Sequence, residues 1–301
     1  MILAGFYLLK LSRLKQFDFL MIYLKETFKY LKRSFLPLML AAIVPAIVLG
    51  IFSEPFTVLS FLPLYFSMTP ASFFSIFWTM VADFSLRLIF PYVLIGLGLI
   101  LGLSFALGMV ERHFKTGKLG LVAPWNAINN SIISIVSVVP FVFVALFVLF
   151  FVQSGLVLGL RHIISGLANL PTVLDSIIVS IVSIVLFLGF LFLTIIFGVW
   201  VMVLQTYGYG YVEAFFEARR TVFKHWLKLI LGLAIPVFVF TMGQTIYNFL
   251  PWHNAVLESI LSVFLHLLII VYYIAYIAVA TYKANGLDRR DIRPPYLKGF
   301  K

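Results

Sequence analysis

The chain has 301 residues, 63% of them hydrophobic and only 11% charged, with a mean hydropathy of +1.11; a soluble domain is about half apolar and a quarter charged. No soluble fold hides that much apolar surface, so the bilayer is the solvent and a water-soluble enzyme or binding domain is excluded. A net charge of +11 on a soluble domain would suggest nucleic acid, but here the bases lie on separate short segments between hydrophobic runs, which argues against nucleic acid and for anionic lipid headgroups as partners.

All the Lys and Arg residues except Arg87 and Arg161 fall in four clusters, within 10–33, 112–118, 219–228 and 283–301. Cytoplasmic segments retain such residues, so the pattern predicts an all-α polytopic bundle of six spans with both ends inside, in the cytoplasmic membrane. Residues 1–33 read as a cytoplasmic amphipathic segment, with Leu24, Phe28 and Leu31 beside a basic stripe of Lys25, Lys29 and Lys32. Its apolar opening precedes Lys10, Arg13 and Lys15, the reverse of a secretory signal, so no cleaved peptide is expected.

The spans are expected at 35–52, 88–110, 132–157, 176–204, 229–250 and 259–282, against the roughly 20 residues that cross the hydrocarbon; the first is short and the fourth long enough to tilt or project. Small residues Ala42, Ala46 and Gly50 in the first and Gly98, Gly102 and Ala106 in the second form ridges suited to close packing against each other, with a homodimer as the alternative. Pro55, Pro63 and Pro70 break the uncharged stretch 55–82, which reads as an outer loop ending in an interfacial helix with Thr69 as N-cap. Trp78 and Trp252 mark the outer interface, and Trp125, Trp200 and Trp226 the inner one, as aromatic belts do. Asn126, Asn130, Ser134 and Ser137 make a polar stripe at the inner half of the third span. Residues 283–301 read as a basic cytoplasmic tail. Pro45, Pro140 and Pro236 recur at nearly equal intervals, and Glu26, Lys29, Arg33 and Phe35 match Glu217, Arg220, Lys224 and Trp226 in order. A threefold repeat of amphipathic helix plus hairpin is one reading of this.

Residues 212–228 are the clearest amphipathic element. Glu213, Glu217, Arg220 and Lys224 share one narrow face, and Val212, Phe215, Phe216, Val222, Phe223 and Trp226 cover the opposite side at 100° per residue. Acids lead and bases follow, which suits the helix dipole, and Gly208 and Gly210 provide the turn before it. Such a helix lies in the headgroup plane with its rings in the acyl boundary, or docks a partner through Glu213, Glu217, Arg219, Arg220 and Lys224. The run Tyr211-Val212-Glu213-Ala214-Phe215-Phe216-Glu217-Ala218-Arg219-Arg220, followed by Phe223, Trp226 and a span, resembles poorly characterised six-helix prokaryotic membrane proteins similar to the membrane domain of glycerophosphoryl diester phosphodiesterases. The resemblance implies the fold over most of the chain and assigns no residues; the soluble phosphodiesterase domain has no counterpart here. Glu213-Ala214, Ala218-Arg219 and Pro236 also look like parts of the coupling motif of permeases driven by a separate ATPase, but Arg220 stands where that motif has glycine.

Ionisable groups inside a bilayer are functional leads. Glu258, Ser262, His266, Tyr273 and Tyr276 share a stripe on the sixth span, Thr241, Gln244, Thr245 and Asn248 one on the fifth, and Asp175 opens the fourth. Together they suggest an outward-open polar cavity between spans four to six, with Asp175 and Glu258 at its mouth and His266 deeper; the same groups also suit plain interhelical bonding. The chain has no cysteine and no H-E-x-x-H, G-x-S-x-G or P-loop sequence, and its His residues lack metal-ligand spacing. No catalytic residue, metal or cofactor is therefore expected, and an intramembrane enzyme using Asp175, Glu258 and His266 is the minor alternative. The leading expectation is a lipid-interacting or solute-handling membrane protein without catalytic activity. Its rivals are an ATPase-coupled permease subunit and a structural scaffold.

Overall fold

The computed structural model describes residues 21–52, 86–118, 126, 128, 129, 131–142, 144, 145, 148, 152, 172–248 and 255–292, all of whose regular elements are helical. Three helices contain segments long and apolar enough to cross a membrane, Ile22–Gly50, Gly96–Thr116 and Ser259–Ala284. The described residues are thus all-helical, and the chain is a membrane protein. The loop expected at 55–82, Trp125, Trp252 and residues 1–20 and 293–301 lie outside the described residues.

Helix α1 (Ile22–Phe52) joins the expected amphipathic segment and first span into one helix of 31 residues. The reason is a single buried stripe. Tyr23, Thr27, Tyr30, Ser34, Leu38 and Ala42 are all buried and recur at the three- and four-residue spacing of one helix face. Lys25, Lys29, Lys32 and Arg33 are exposed, so the charges ride on the outside of a helix that never needs to break.

Helix α1 packs most extensively along α6 (Ala255–Ala284), and its other side receives α2 (Leu86–Thr116). A Cβ added at Gly98 or Gly102 would lie 2.9 Å from Val48 or 2.3 Å from Pro45, so the second-span ridge does face α1. Gly50, however, meets the backbone of Val263 on α6, 2.5 Å from an added Cβ. The small residues of the first span thus serve two neighbours.

After α3 (Ser131–Val142) and α4 (Thr172–Tyr207), the chain turns at Gly208, with φ +65, where the expected turn falls. Helix α5 (Tyr211–Asn248) follows, with non-helical φ −123 and ψ 15 at His225 separating its charged first part from the rest. Within α5, Pro236 has no N–H to offer the carbonyl four residues back. The Tyr272 hydroxyl of α6 donates to that carbonyl, Gly232 O. The Tyr276 hydroxyl donates to Leu229 O at 2.9 Å and approaches Lys228 O at 3.1 Å. Glycine at 232 permits this approach, because an added Cβ would lie 2.2 Å from the Tyr276 hydroxyl.

Helix α6 closes with Gly286 at φ +65, the Leu287 N–H donating to Tyr282 O at 2.8 Å and the Gly286 N–H to Lys283 O at 3.3 Å, the paired bonds of a Schellman cap. A 3-10 turn, Arg290–Ile292, then packs on α2. Gly117 ends α2 at φ +71, and an added Cβ there would lie 2.9 Å from Arg290 O. Residues 283–292 of the expected basic tail are therefore part of the fold.

Candidate functional site

The last turns of α2, α4 and α6 and the first turn of α3 converge at the end of the bundle that carries the Lys and Arg clusters. Glu111 is the centre of this group. It is buried near the end of α2, paired with the half-exposed Lys115 one turn on. From α4 the Gln205 amide donates to the other Glu111 oxygen and to Ser131 Oγ of α3, the latter at 2.7 Å. The Tyr282 hydroxyl of α6 lies within reach of the Glu111 charge and beside Thr206. Thr206 Oγ1 and the Tyr282 hydroxyl are buried side by side, within bonding reach of each other, while Gln205 Oε1 is buried and makes no hydrogen bond to any described residue. Buried polar atoms are rarely left so. The group therefore combines one paired carboxylate with one unused amide oxygen and a pair of buried hydroxyls.

A second layer holds this end together. Arg289 and Asp291, both buried, form a two-point ion pair, Nε to Oδ1 at 3.1 Å and Nη2 to Oδ2 at 2.8 Å. The guanidinium also sits 4.3 Å from the Phe114 ring centre and 5.6 Å from that of Tyr30, and the Tyr30 hydroxyl lies 3.2 Å from His113 Nδ1. Lys283 of α6 pairs with Glu26 of α1 at 3.2 Å. The Thr221 hydroxyl of α5 donates to Asn285 at 2.8 Å. Trp200 is buried and donates to Tyr211 O at 3.1 Å, fixing the α4–α5 turn. His225 presents its edge to Tyr23 of α1, and burial, with Lys228 and Lys224 adding to it, holds its imidazole below the ordinary pKa.

The charged part of α5 has three faces rather than two. Ala214, Ala218, Thr221 and Val222 are buried against the bundle, and Phe215 packs on Trp200. Val212, Phe216, Phe223 and Trp226 are exposed in one stripe, with Arg219 over the Phe223 ring at 5.6 Å. Glu213, Arg220 and Lys224 are exposed on the third side, and Glu217 beside them is partly buried. The apolar half expected for this helix is thus divided between protein and surroundings.

Of the cavity residues expected from sequence, His266 is buried and its Nδ1 lies 2.8 Å from Ser262 O of its own helix. Tyr273 is partly buried beside Tyr272. Tyr276, on the same stripe, is bonded to α5. Asp175, Gln244, Asn248 and Glu258 occupy helical positions, and their side chains lie outside what the structure describes. Sequence reasoning missed Glu111 and Gln205. One signal was there: Glu111 stands in the penultimate turn of α2, against the helix dipole, so something other than the helix must hold it. No family model matches this chain, and no curated protein or solved structure matches it either.

Proposed function

We propose that this chain is a six-span protein of the cytoplasmic membrane, with both ends inside, that engages anionic lipid at the inner leaflet through the first part of α5. The observation that carries this reading is the three-sided helix over 211–224. One side is fixed on the bundle by alanines, one is charged, and one presents Phe216 at 57% and Phe223 at 53% exposure. A contiguous exposed apolar stripe with a polar rim marks a contact with membrane or protein. The bilayer is favoured because the stripe continues past the His225 kink onto exposed Leu227, Ile235 and Phe238, the face the same helix would turn to lipid as it crosses. The bases Arg219, Arg220 and Lys224 beside the rings suit anionic headgroups. The proposal includes kinship with the membrane domains that the Tyr211 to Arg220 run resembles, and no catalytic step.

The chain has no cysteine, so single cysteines report position directly. Nitroxide labels at Val212→Cys and Phe216→Cys, in nanodiscs containing anionic lipid, should be reached by oxygen and shielded from a water-soluble relaxant. Labels at Glu213→Cys and Arg220→Cys should behave oppositely. Water-exposed labels at both 212 and 216 would overturn the lipid reading, and their burial only when a cytoplasmic ATPase binds would favour a coupled permease subunit.

A further inference from the structure

We propose that the Glu111 group is a binding site for a small monovalent cation, an alkali-metal ion or a primary ammonium, and that the Lys115 side chain occupies it in the structure as a built-in competitor. This is independent of what the first part of α5 touches.

The site is built by four helices: Glu111 and Lys115 from α2, Ser131 from α3, Gln205 and Thr206 from α4, and Tyr282 from α6. Every ligand it offers is an oxygen, which selects hard cations over soft ones. It holds one carboxylate, and among the described residues no group of three or more His, Cys, Asp and Glu side chains is placed to hold a metal ion. A dedicated divalent site recruits more carboxylate than that. The single negative charge, which accepts from the Gln205 amide at one oxygen and from Lys115 at the other, balances a single positive one. The remaining buried oxygens have the same polarity. Gln205 Oε1 can only accept hydrogen bonds or ligate a cation, and Thr206 Oγ1 and the Tyr282 hydroxyl have lone pairs to offer. The Tyr282 side chain is nearly fully buried with its hydroxyl beside that of Thr206, and a hydroxyl that shares one hydrogen bond still has a lone pair to offer.

Lys115 shows what the carboxylate accepts. Its ammonium, a compact point charge on a flexible stem, sits on Glu111 while the side chain is 48% exposed, so it can withdraw into solvent and leave the carboxylate to another cation. The i, i+4 pairing on one helix makes this exchange local, with no helix required to move.

The test uses the full chain in nanodiscs, with thermal unfolding followed in sodium, potassium or methylammonium chloride against choline chloride at equal ionic strength. Removing the competitor with Lys115→Met or Lys115→Gln should make the melting temperature rise saturably with at least one of the three cations, at concentrations about tenfold below those the unaltered chain needs. Adding Glu111→Gln should abolish the rise, and Tyr282→Phe should weaken it. The three arms separate metal ions from ammonium. A Lys115 variant that folds only with one of these cations counts as a response. The inference is overturned if neither folded variant responds to any of the three at several hundred millimolar, or if both fail to fold and none of the three restores them.

Discussion

Helices α1 and α5 have a similar plan in sequence, a basic segment that includes an acid and runs into an apolar span with proline inside, yet they fold differently. In α1 the charged segment is continuous with the span, and its inner face sets large groups, Tyr23, Tyr30 and Leu38, between the smaller Thr27, Ser34 and Ala42, all buried along the bundle. In α5 the inner face is made of Ala214, Ala218, Thr221 and Val222, none larger than valine, His225 leaves helical geometry, and Phe216, Phe223 and Trp226 remain outside. The difference lies in which residues sit at the three- and four-residue positions facing inward. Large side chains there clamp α1 to its neighbours. Small ones let α5 approach closely while its large side chains stay outside, available to lipid.

The largest effect should come from loosening the clamp on α1. Arg289 is buried against Tyr30 and Phe114 and neutralises a buried Asp291. Arg289→Ala leaves that carboxylate unpaired, and breaking a buried pair from one side costs about 3–5 kcal/mol. Unfolding in mixed micelles should show that loss, and Arg289→Met with Asp291→Ala should recover at least half of it by removing the stranded charge. Hydrogen exchange should rise over 22–34 and stay unchanged over 211–224. Equal acceleration in both segments would mean the two helices are not held separately.

The next test concerns what holds α5. Gly232→Ala places a methyl group 2.2 Å from the Tyr276 hydroxyl, and the fully buried Tyr276 has nowhere to go. Displacing it adds packing strain to the loss of its bonds, about 2–3 kcal/mol. Tyr272→Phe, which strands the Gly232 carbonyl opposite Pro236, should cost less, about 0.6–1.7 kcal/mol, because interhelical hydrogen bonds within membranes are modest. Both should accelerate exchange over 229–236 and spare α1. If Gly232→Ala is neutral, the α5–α6 contact is looser than the tyrosine bonds imply.

Much of this division was legible and part was not. Helices ending near Lys and Arg clusters, the turn at Gly208 and the amphipathic 212–228 follow from hydropathy, glycine and charge order. The unbroken α1 does not, because a run of Lys25, Lys29, Lys32 and Arg33 reads as a boundary unless Tyr23, Tyr30 and Ser34 are recognised as an inward stripe. Nor could an apolar half of α5 reveal that Val222 faces protein while Phe223 beside it faces outward. Tyr276 looks like a cavity residue until α5 is brought within reach of it. The Glu111 group is the hardest to read, since its members come from four helices far apart in the chain. Only the acid's position against the helix dipole hinted at it.

The smallest effect sharpens the comparison most directly, because it uses one acid from the charged segment of each helix, Glu26 and Glu217. Glu26 pairs with Lys283 across α1 and α6 at 3.2 Å, both side chains about a third exposed. Such a pair contributes about 0–1 kcal/mol, and added salt weakens it. Glu26→Gln should therefore lower stability by about 0.5 kcal/mol at low salt, close to the midpoint for exposed pairs, with less effect at high salt. Glu217 lies beside the α4–α5 turn near Tyr207, on the segment whose inward face is made of small side chains. Glu217→Gln should change stability less and with no comparable dependence on salt. Matching losses for the two substitutions would mean that the charged segment of α5 is clamped through its acid as α1 is. A free outward stripe on α5 would then have to be explained by something other than a looser hold.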